Sequence, residues 1–536
     1  MTIALSRLGA LLVLCFVSVT VPVLVEAAPD PTAGASIPSW ETSPDSSLAV
    51  ALRRIEGIPL SLEEALRVSM ENATAAVDAE ARLRAAAAAS RIERGAFDPE
   101  LFASWERNSS DAPTASFFSG ADTLKSDLTR STGGVRMRFP IGTELSASID
   151  LTETESNSAF ASLSPEYNAG GVLSLRQPLL SGFGPAASAP LSAARHEMEA
   201  GQARYRDAIA ALASEVEVTY WDLHASEQDL AVAIAIRDMA EALLQEAKYR
   251  SAAGLVGPNQ VANARVFLAE QEQALLDREE RLDLVSDHLA TLMGRRPEGR
   301  RFRAQSQPPR DFGNETEDAI VARVLAGSPE LTAAGFQLKA SEARLRGARW
   351  DALPALDLHA SFGGTGLSGE PRDVVFGGDT LRTSISGGGS DAVSDAIKRD
   401  FPNWSVGVTL TLPLGLRSER AERDRAEAEH RLAESAYTAT QRSLEERARA
   451  AARELLHGKR RLETAREGVD ASLEQIRIGR IEYRNGRATA FELVRLGADL
   501  ASAQQRLSAA LIRTARAVAE IRRLTGDASP SETLRP

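Results

Sequence analysis

The chain has 536 residues, long enough for several domains, with a formal net charge of −12 and 5% aromatic residues. The acidic balance argues against nucleic acid as a partner, because a phosphate backbone is held by Lys and Arg. The many Ala, Leu, Glu and Arg suit long helices. The only cysteine is Cys15, so no disulfide framework holds the chain together.

Residues 1–27 open with basic Arg7, continue with an apolar stretch from Leu8 to Val25, and end on Val25-Glu26-Ala27. This is the pattern of a secretory signal peptide. Cys15 follows Leu14, whereas acylation of a lipoprotein needs a small residue there. No later segment is apolar enough and long enough to span a bilayer as a helix, so the exported chain is expected to be soluble or a β-barrel. Residues 28–57, rich in Pro, Ser, Thr and Ala, read as an extended leader.

A first unit is expected over 58–294. Ser61 with Glu63 and Glu64 marks a helix start, since acids favour the positive end of the helix dipole. That helix should run over 61–94 and stop at Gly95 and Pro99. Strands follow at about 101–107 and 172–177. Between them lies a hairpin-like stretch, 135–151, turning at "PIGT", where Leu145, Ala147, Ile149 and Leu151 alternate with Ser146, Ser148 and Asp150. A long helix from about Ser188 to Ala253 leads to the reversal "AAGLVGPNQ" and a returning helix over 259–293.

Residues 295–316 read as a linker. A second unit over 317–526 repeats the order: a helix over 317–350, strands in "LDLHASF" and "WSVGVTLTLPL", a long helix from Ser418 to Asn485, a reversal at "NGRAT", and a helix over 489–524. Residues 527–536 form a tail. Leu83, Arg91 and Pro99 match Leu338, Arg346 and Pro354 at an offset of 255. Val261 matches Leu493, and Leu292-Met293-Gly294 matches Leu524-Thr525-Gly526, at an offset of 232. "LRQPL" matches "LTLPL" at 235. The chain therefore reads as two tandem copies of one unit.

Each long helix would reach about 100 Å at about 1.5 Å per residue. The short helices are about half that length, so a stacked pair can flank each long one in an extended rod. Leu282, Val285, Leu289 and Leu292 show coiled-coil spacing. In the strands, Trp404, Val406, Val408, Leu410 and Leu412 fall on one face, and Ser405, Gly407, Thr409 and Thr411 on the other. In an outer-membrane barrel the apolar face meets lipid and the polar face lines water. Aromatic Trp105, Phe401 and Trp404 near strand ends fit that arrangement, and the Gly/Ser/Asp-rich stretch from Gly363 to Val393 reads as an extracellular loop. Four to six strands cannot close a barrel alone, and an open edge in lipid leaves backbone groups unpaired. Several chains must then share one barrel.

No enzyme is indicated, and no cofactor. The six histidines lack metal-ligand spacing, "GGTGLSG" is followed by no Lys-Ser/Thr and helix, and no nucleophile stands beside a base. Tyr220-Trp221-Asp222 reads as helix packing, and His359 falls on the polar strand face.

Over residues 58–526 the chain resembles the TolC-type outer-membrane efflux and secretion channels. The resemblance rests on the duplication together with "LSLEEALRVSMEN", "LRQPLL", "VEVTYWDL", "AAGLVGPNQVANAR" and "NGRATAFEL" in that order. It implies a mainly α fold with β: antiparallel helical hairpins forming a twelve-helix periplasmic α-barrel, continued by a twelve-stranded β-barrel in outer-membrane lipid, built as a homotrimer. It implies a passive exit duct that joins a periplasmic adaptor (membrane fusion protein) and an inner-membrane pump of the RND or ABC type. The other reading of the residues is a periplasmic coiled-coil spacer without a channel.

Under the resemblance the two reversals are periplasmic tips, and Gly254, Leu255, Val256, Gly486 and Arg487 would dock the adaptor. The best-known member carries two acids just past its second tip, at a constricted aperture. Six residues beyond Gly486 stands Glu492, which keeps an acid; nine beyond stands Arg495, which does not. The matching position of the first tip is Gln260, where that member has an acid, and Arg487 stands one residue from its latching arginine. A Glu492 ring would attract cations unless Arg495 neutralises it.

Overall fold

The computed structural model describes residues 44–115, 120–295, 300–308, 315–376 and 378–527. The expected signal peptide lies outside these residues, as does all of the expected tail but Asp527.

The chain opens with helix α1 (Pro44–Arg54), strand β1 (Ile58–Leu60), and helices α2 (Leu62–Asn72) and α3 (Thr74–Gly95). Four strands follow: β2 (Glu100–Pro113), β3 (Thr123–Arg138), β4 (Glu144–Ser156) and β5 (Leu163–Pro178). Then come the long helix α4 (Pro185–Ala252), its return α5 (Pro258–Leu292), and strand β6 (Phe302–Ala304). The second half runs α6 (Glu317–Gly327), α7 (Pro329–Asp351), β7 (Ala355–Pro371), the small hairpin β8 (Val374–Phe376) and β9 (Asp379–Leu381), α8 (Gly389–Lys398), β10 (Phe401–Thr411), α9 (Arg417–Arg484) and α10 (Ala490–Thr525). The two long helices have 68 residues each.

Four expectations change in detail. The leader is not extended throughout, because 44–54 is helical and buries Ala51 and Ile55 with Tyr220 and Trp221 of α4. The linker 295–316 contains β6, which pairs in parallel with β1. The helices expected over 61–94 and 317–350 are each broken. Ala73 turns extended (ψ 135°) between α2 and α3, and Ser328 does so (ψ 122°) ahead of Pro329, where the proline ring disfavours helical backbone. Ser328 then caps α7 by accepting a hydrogen bond from Leu331 N at 3.4 Å. Finally, residues 363–371, read as loop, continue β7.

The helices form one layer. α4 packs against α3 and α5 on one side and against α7 and α10 on the other, and α9 lies beyond α7 and α10. Short helices thus stack end to end beside long ones, α3 with α5 and α7 with α10. The core is split accordingly. Leu223 and Leu230 of α4 meet Leu282, Val285 and Leu289 of α5; Ile236 and Leu243 meet Ile476, Leu493 and Leu500 nearer the tips; Val324, Leu444 and Leu524 close the far end. Tyr220 is fully buried and joins two layers. Its hydroxyl donates to Leu60 O at 2.8 Å and accepts from Gln305 N at 3.0 Å and Ser306 N at 2.8 Å. The small β1–β6 sheet is therefore pinned to the middle of α4.

The main sheet has six strands in the order β10-β7-β5-β4-β3-β2, all antiparallel. The resemblance implies twelve strands for three chains, four from each; the main sheet of this chain has six. The stretch 135–151 is the reason. It is the centre of a full β3–β4 hairpin whose strands pair with β2 and β5 on either side.

Candidate functional site

Two places carry functional geometry: the helical tips and the sheet. At the first tip, Ala253 caps α4 and Gly254 takes φ +74°; at the second, Asn485 caps α9 and Gly486 takes φ +71°. A Cβ is disfavoured in that left-handed region. Leu255 N reaches back to Arg250 O at 2.9 Å, and Arg487 N to Glu482 O at 2.9 Å, so the two helix ends close with the same bond. What the tips present differs. Leu255 is 75% exposed, and the equivalent Arg487 is exposed and charged, while Val256 is half-buried.

The returning helices start differently. Pro258 follows Gly257, whose cap has no side chain, and Gln260 is exposed. At the second tip Thr489 and Glu492 form a capping box: Glu492 N donates to Thr489 Oγ1 at 3.3 Å, and Thr489 N donates to the Glu492 carboxylate at 2.8 Å. The Glu492 carboxylate thus has a local structural partner, a reciprocal cap of the kind that satisfies two orphan amides. Arg495 is exposed, and no ion pair joins it to Glu492 among the described residues. All the residues expected at the aperture and tips therefore sit at one end of the helical layer.

Residues that the sequence did not single out link the two tips. The Arg250 guanidinium lies 4.9 Å from the centre of the Tyr483 ring and 3.0 Å from the Glu246 carboxylate. Burial, then the charge of Glu246, push the Tyr483 phenol up. Arg250 precedes Gly254 by four residues and Tyr483 precedes Gly486 by three, so no shared spacing announces the pair. A cleft of about 670 Å³ runs between α4 and α9 just inside the tips, lined by Arg54, Asp238, Glu246, Tyr249, Tyr483 and Leu493.

The sheet has two unlike faces. Reading across from β2 to β10, one row is Leu101, Val135, Ala147, Leu173, Phe362 and Trp404, and the next is Met137, Leu145, Leu175, Ala360 and Val406. This face is exposed in the single chain: Trp404 is 74% accessible and Val406 65%. The opposite face carries Ser146, Ser174, Ser361 and Ser405 in one row. Beside them runs a belt of alternating charge. Arg136 pairs with Glu100 at 2.8 Å, Arg138 with Glu144 at 3.3 Å, and Arg176 with both Glu144 and Asp357 at 3.3 Å. His359 stands opposite Arg176 on that face, as its strand position predicts.

Helix α8 lies on the apolar face, burying Ala392 and Ala396 against Ala169, Leu151 and Tyr167. Gly364 and Gly366 of β7 make room for it. A Cβ at Gly364 would stand 2.5 Å from Ala396 O, and one at Gly366 would overlap Ala392 O. These two glycines of "GGTGLSG" thus serve close approach of a helix to a strand.

Comparison with known proteins agrees with this geometry. The family model described as outer membrane efflux protein matches residues 67–295 and 320–527. Among solved structures, the outer-membrane channel OprN aligns with a TM-score of 0.60 at 18% identity, covering 94% of this chain and 98% of its own. The outer membrane protein VceC of Vibrio cholerae aligns at 0.59 and 16% identity, covering 87% and 96%. The MtrE channel of Neisseria gonorrhoeae aligns at 0.58 and 17% identity, covering 87% and 88%. No curated protein matches the chain in sequence. These likenesses give the fold, and the match over most of the chain gives the family: the chain belongs to the outer membrane efflux proteins, the TolC-type channels.

Proposed function

We propose that three copies of this chain form an exit duct across the outer membrane, continued by a helical tunnel in the periplasm, through which an inner-membrane pump and a periplasmic adaptor discharge their substrates. One observation carries this reading: the helical layer leaves aliphatic side chains exposed at both of its open sides. Exposed aliphatic residues lie on α3 (Val77, Ile92) and α5 (Val266, Leu276, Leu284) at one side, and on α9 (Leu432, Leu456, Ile478, Ile481) at the other. The helices between, α7 and α10, carry no large exposed aliphatic among the described residues. Apolar residues left at both margins suit margins that meet another copy.

The sheet supports the same reading. Its six strands are too few to close a barrel. Its apolar rows run along β7 from Leu356 to Phe362, and α8 covers the stretch beyond them at Gly364 and Gly366. That face would meet lipid, and the charged belt would line the water. The tips, with Gly254, Leu255, Val256, Gly486 and Arg487, would receive the adaptor, and Gln260, Glu492 and Arg495 would border the periplasmic aperture. The pump, of the RND or ABC type, supplies the energy and the choice of cargo. The test is fractionation of cells making the full chain. A heat-resistant trimer in detergent extracts of the outer membrane is expected. A monomer in the soluble periplasmic fraction would support a coiled-coil spacer instead.

A further inference from the structure

The two halves of the chain differ in their β segments. β2 and β7 each begin just after a short helix, and β5 and β10 each end just before a long one. In the second half a loop with β8, β9 and α8 separates the two strands of the main sheet. In the first half the hairpin β3–β4 occupies that place, and it lies within the sheet. Its register with β2 runs unbroken from Glu100 opposite Arg136 to Pro113 opposite Thr123, and its register with β5 from Glu144 opposite Arg176 to Thr154 opposite Glu166.

The hairpin has the chemistry of wall on both faces. Outward, Val135 and Ile149 are 44% and 39% exposed, like Leu173 in the flanking β5 and Phe362 in β7 beyond it at 46% and 45%. Inward, the charge belt crosses it: β2 reaches β3 through Glu100–Arg136, and β4 reaches β5 through Glu144–Arg176. Its turn is fixed at the base, where Gly184 N, at the start of α4, donates to Ile141 O at 3.0 Å. The hairpin therefore cannot swing out of the sheet without breaking the connection to the helical layer.

Direction matters as well. With six alternating strands the two edges, β2 and β10, run opposite ways. The β2 edge of one copy meets the β10 edge of the next in antiparallel pairing, and a ring of identical copies closes without a parallel seam. Unpaired edges are not tolerated in lipid, so the closing occupant is a second copy of this chain.

We propose that the β3–β4 hairpin adds two staves per chain, so that the trimer closes an eighteen-stranded barrel rather than a twelve-stranded one. This rests on the trimeric duct proposed above. At about 4.8 Å between strands and a tilt of about 40°, eighteen strands give a backbone diameter of about 36 Å, against about 24 Å for twelve. Barrels of that strand number leave a broad aqueous channel. The outer-membrane segment then admits wider cargo than a twelve-stranded wall would.

Electron cryomicroscopy of the detergent-extracted particle counts chains and staves together. Three chains with eighteen strands are expected. Three chains with twelve strands, and β3–β4 outside the wall, would overturn the wider barrel and leave the trimer standing; any other number of chains would overturn the trimer reading itself. A second measurement uses single cysteines in the intact trimer, since Cys15 is the chain's only native one. Thr132→Cys and Ser146→Cys, on the charged face, should react with a water-soluble maleimide. Val135→Cys and Ala147→Cys, on the apolar face, should not. Equal reaction of all four in an intact trimer would place the hairpin outside the membrane wall and reject the proposal.

Discussion

The guanidinium of Arg250 sits 4.9 Å over the ring of Tyr483, joining the last turn of α4 to the last turn of α9. The two tips of one chain are thereby held at a set spacing, with Glu246 holding Arg250 from its own helix at 3.0 Å. A cation over an aromatic face contributes about 1 kcal/mol when partly shielded from water. Tyr483→Ala and Arg250→Ala should each widen the distribution of distances between spin labels placed at Ala253 and Asn485. Tyr483→Phe keeps the ring and should leave that distribution unchanged. A change with Tyr483→Phe as large as with Tyr483→Ala would mean that the ring face is not the contact.

The tips also separate docking from assembly. Leu255 is 75% exposed and Gly254 sits in open space at φ +74°. Leu255→Glu removes no buried contact, so the trimer should form as before while adaptor capture and export are lost. Gly254→Val should cost about 1–2 kcal/mol at the tip through its left-handed backbone and should also impair export. Retained export in both variants would remove the docking role from this tip.

Glu227 predicts a pH effect far from the membrane. It is 4% exposed on α4 and accepts a hydrogen bond from Ala304 N at 2.7 Å. Burial raises its carboxyl from 4.5 to about 7, against the lowering effects of that hydrogen bond and of the nearby Arg303 charge. The folded pKa lies above the unfolded one, so the native state holds the extra proton. This contribution to stability is full below about pH 4.5 and is lost as pH rises through about 7, a change of about 3 kcal/mol at most. Thermal unfolding of wild type against Glu227→Gln should show the variant relatively more stable at pH 8 than at pH 5. An identical pH dependence in both would show that Glu227 is not the titrating group.

Tyr220 should matter through its hydroxyl alone. Tyr220→Phe keeps the buried ring but strips a partner from Leu60 O, Gln305 N and Ser306 N. Unsatisfied buried groups of this kind cost about 1–3 kcal/mol each, less where water enters. Faster proteolysis near residues 60 and 305 is expected, with the tips unaffected. Unchanged proteolysis would show that other contacts hold β1 and β6 to α4.

Much of the architecture was legible in the sequence. Heptad-like spacing such as Leu282, Val285 and Leu289 needs only local pattern, and those residues are core. The tip glycines were legible because positive φ has few other solutions. The strand alternation of Trp404 to Leu412 was legible for the same local reason. What was missed depends on partners distant in sequence. β3 carries Gly133, Gly134, Arg136 and Arg138, which reads as a weak strand until Glu100 and Glu144 are placed beside it. Gly363–Gly369 looks like loop until β5 is paired with it and α8 is laid on Gly364 and Gly366. Arg250 and Tyr483 lie on different helices, 233 positions apart, and only the packing of α10 against both α4 and α9 brings them together. The capping box of Thr489 and Glu492 is readable from their spacing of three, a local signal.

In the function proposed above, the chain makes a water-filled path only as a trimer. The most direct measurement is single-channel recording from the purified full-length protein in planar lipid bilayers, with the inserted species sized by native mass spectrometry. Discrete conductance steps from a particle of three chains are expected. A particle of one chain, or a three-chain particle that never conducts, would overturn the trimeric duct.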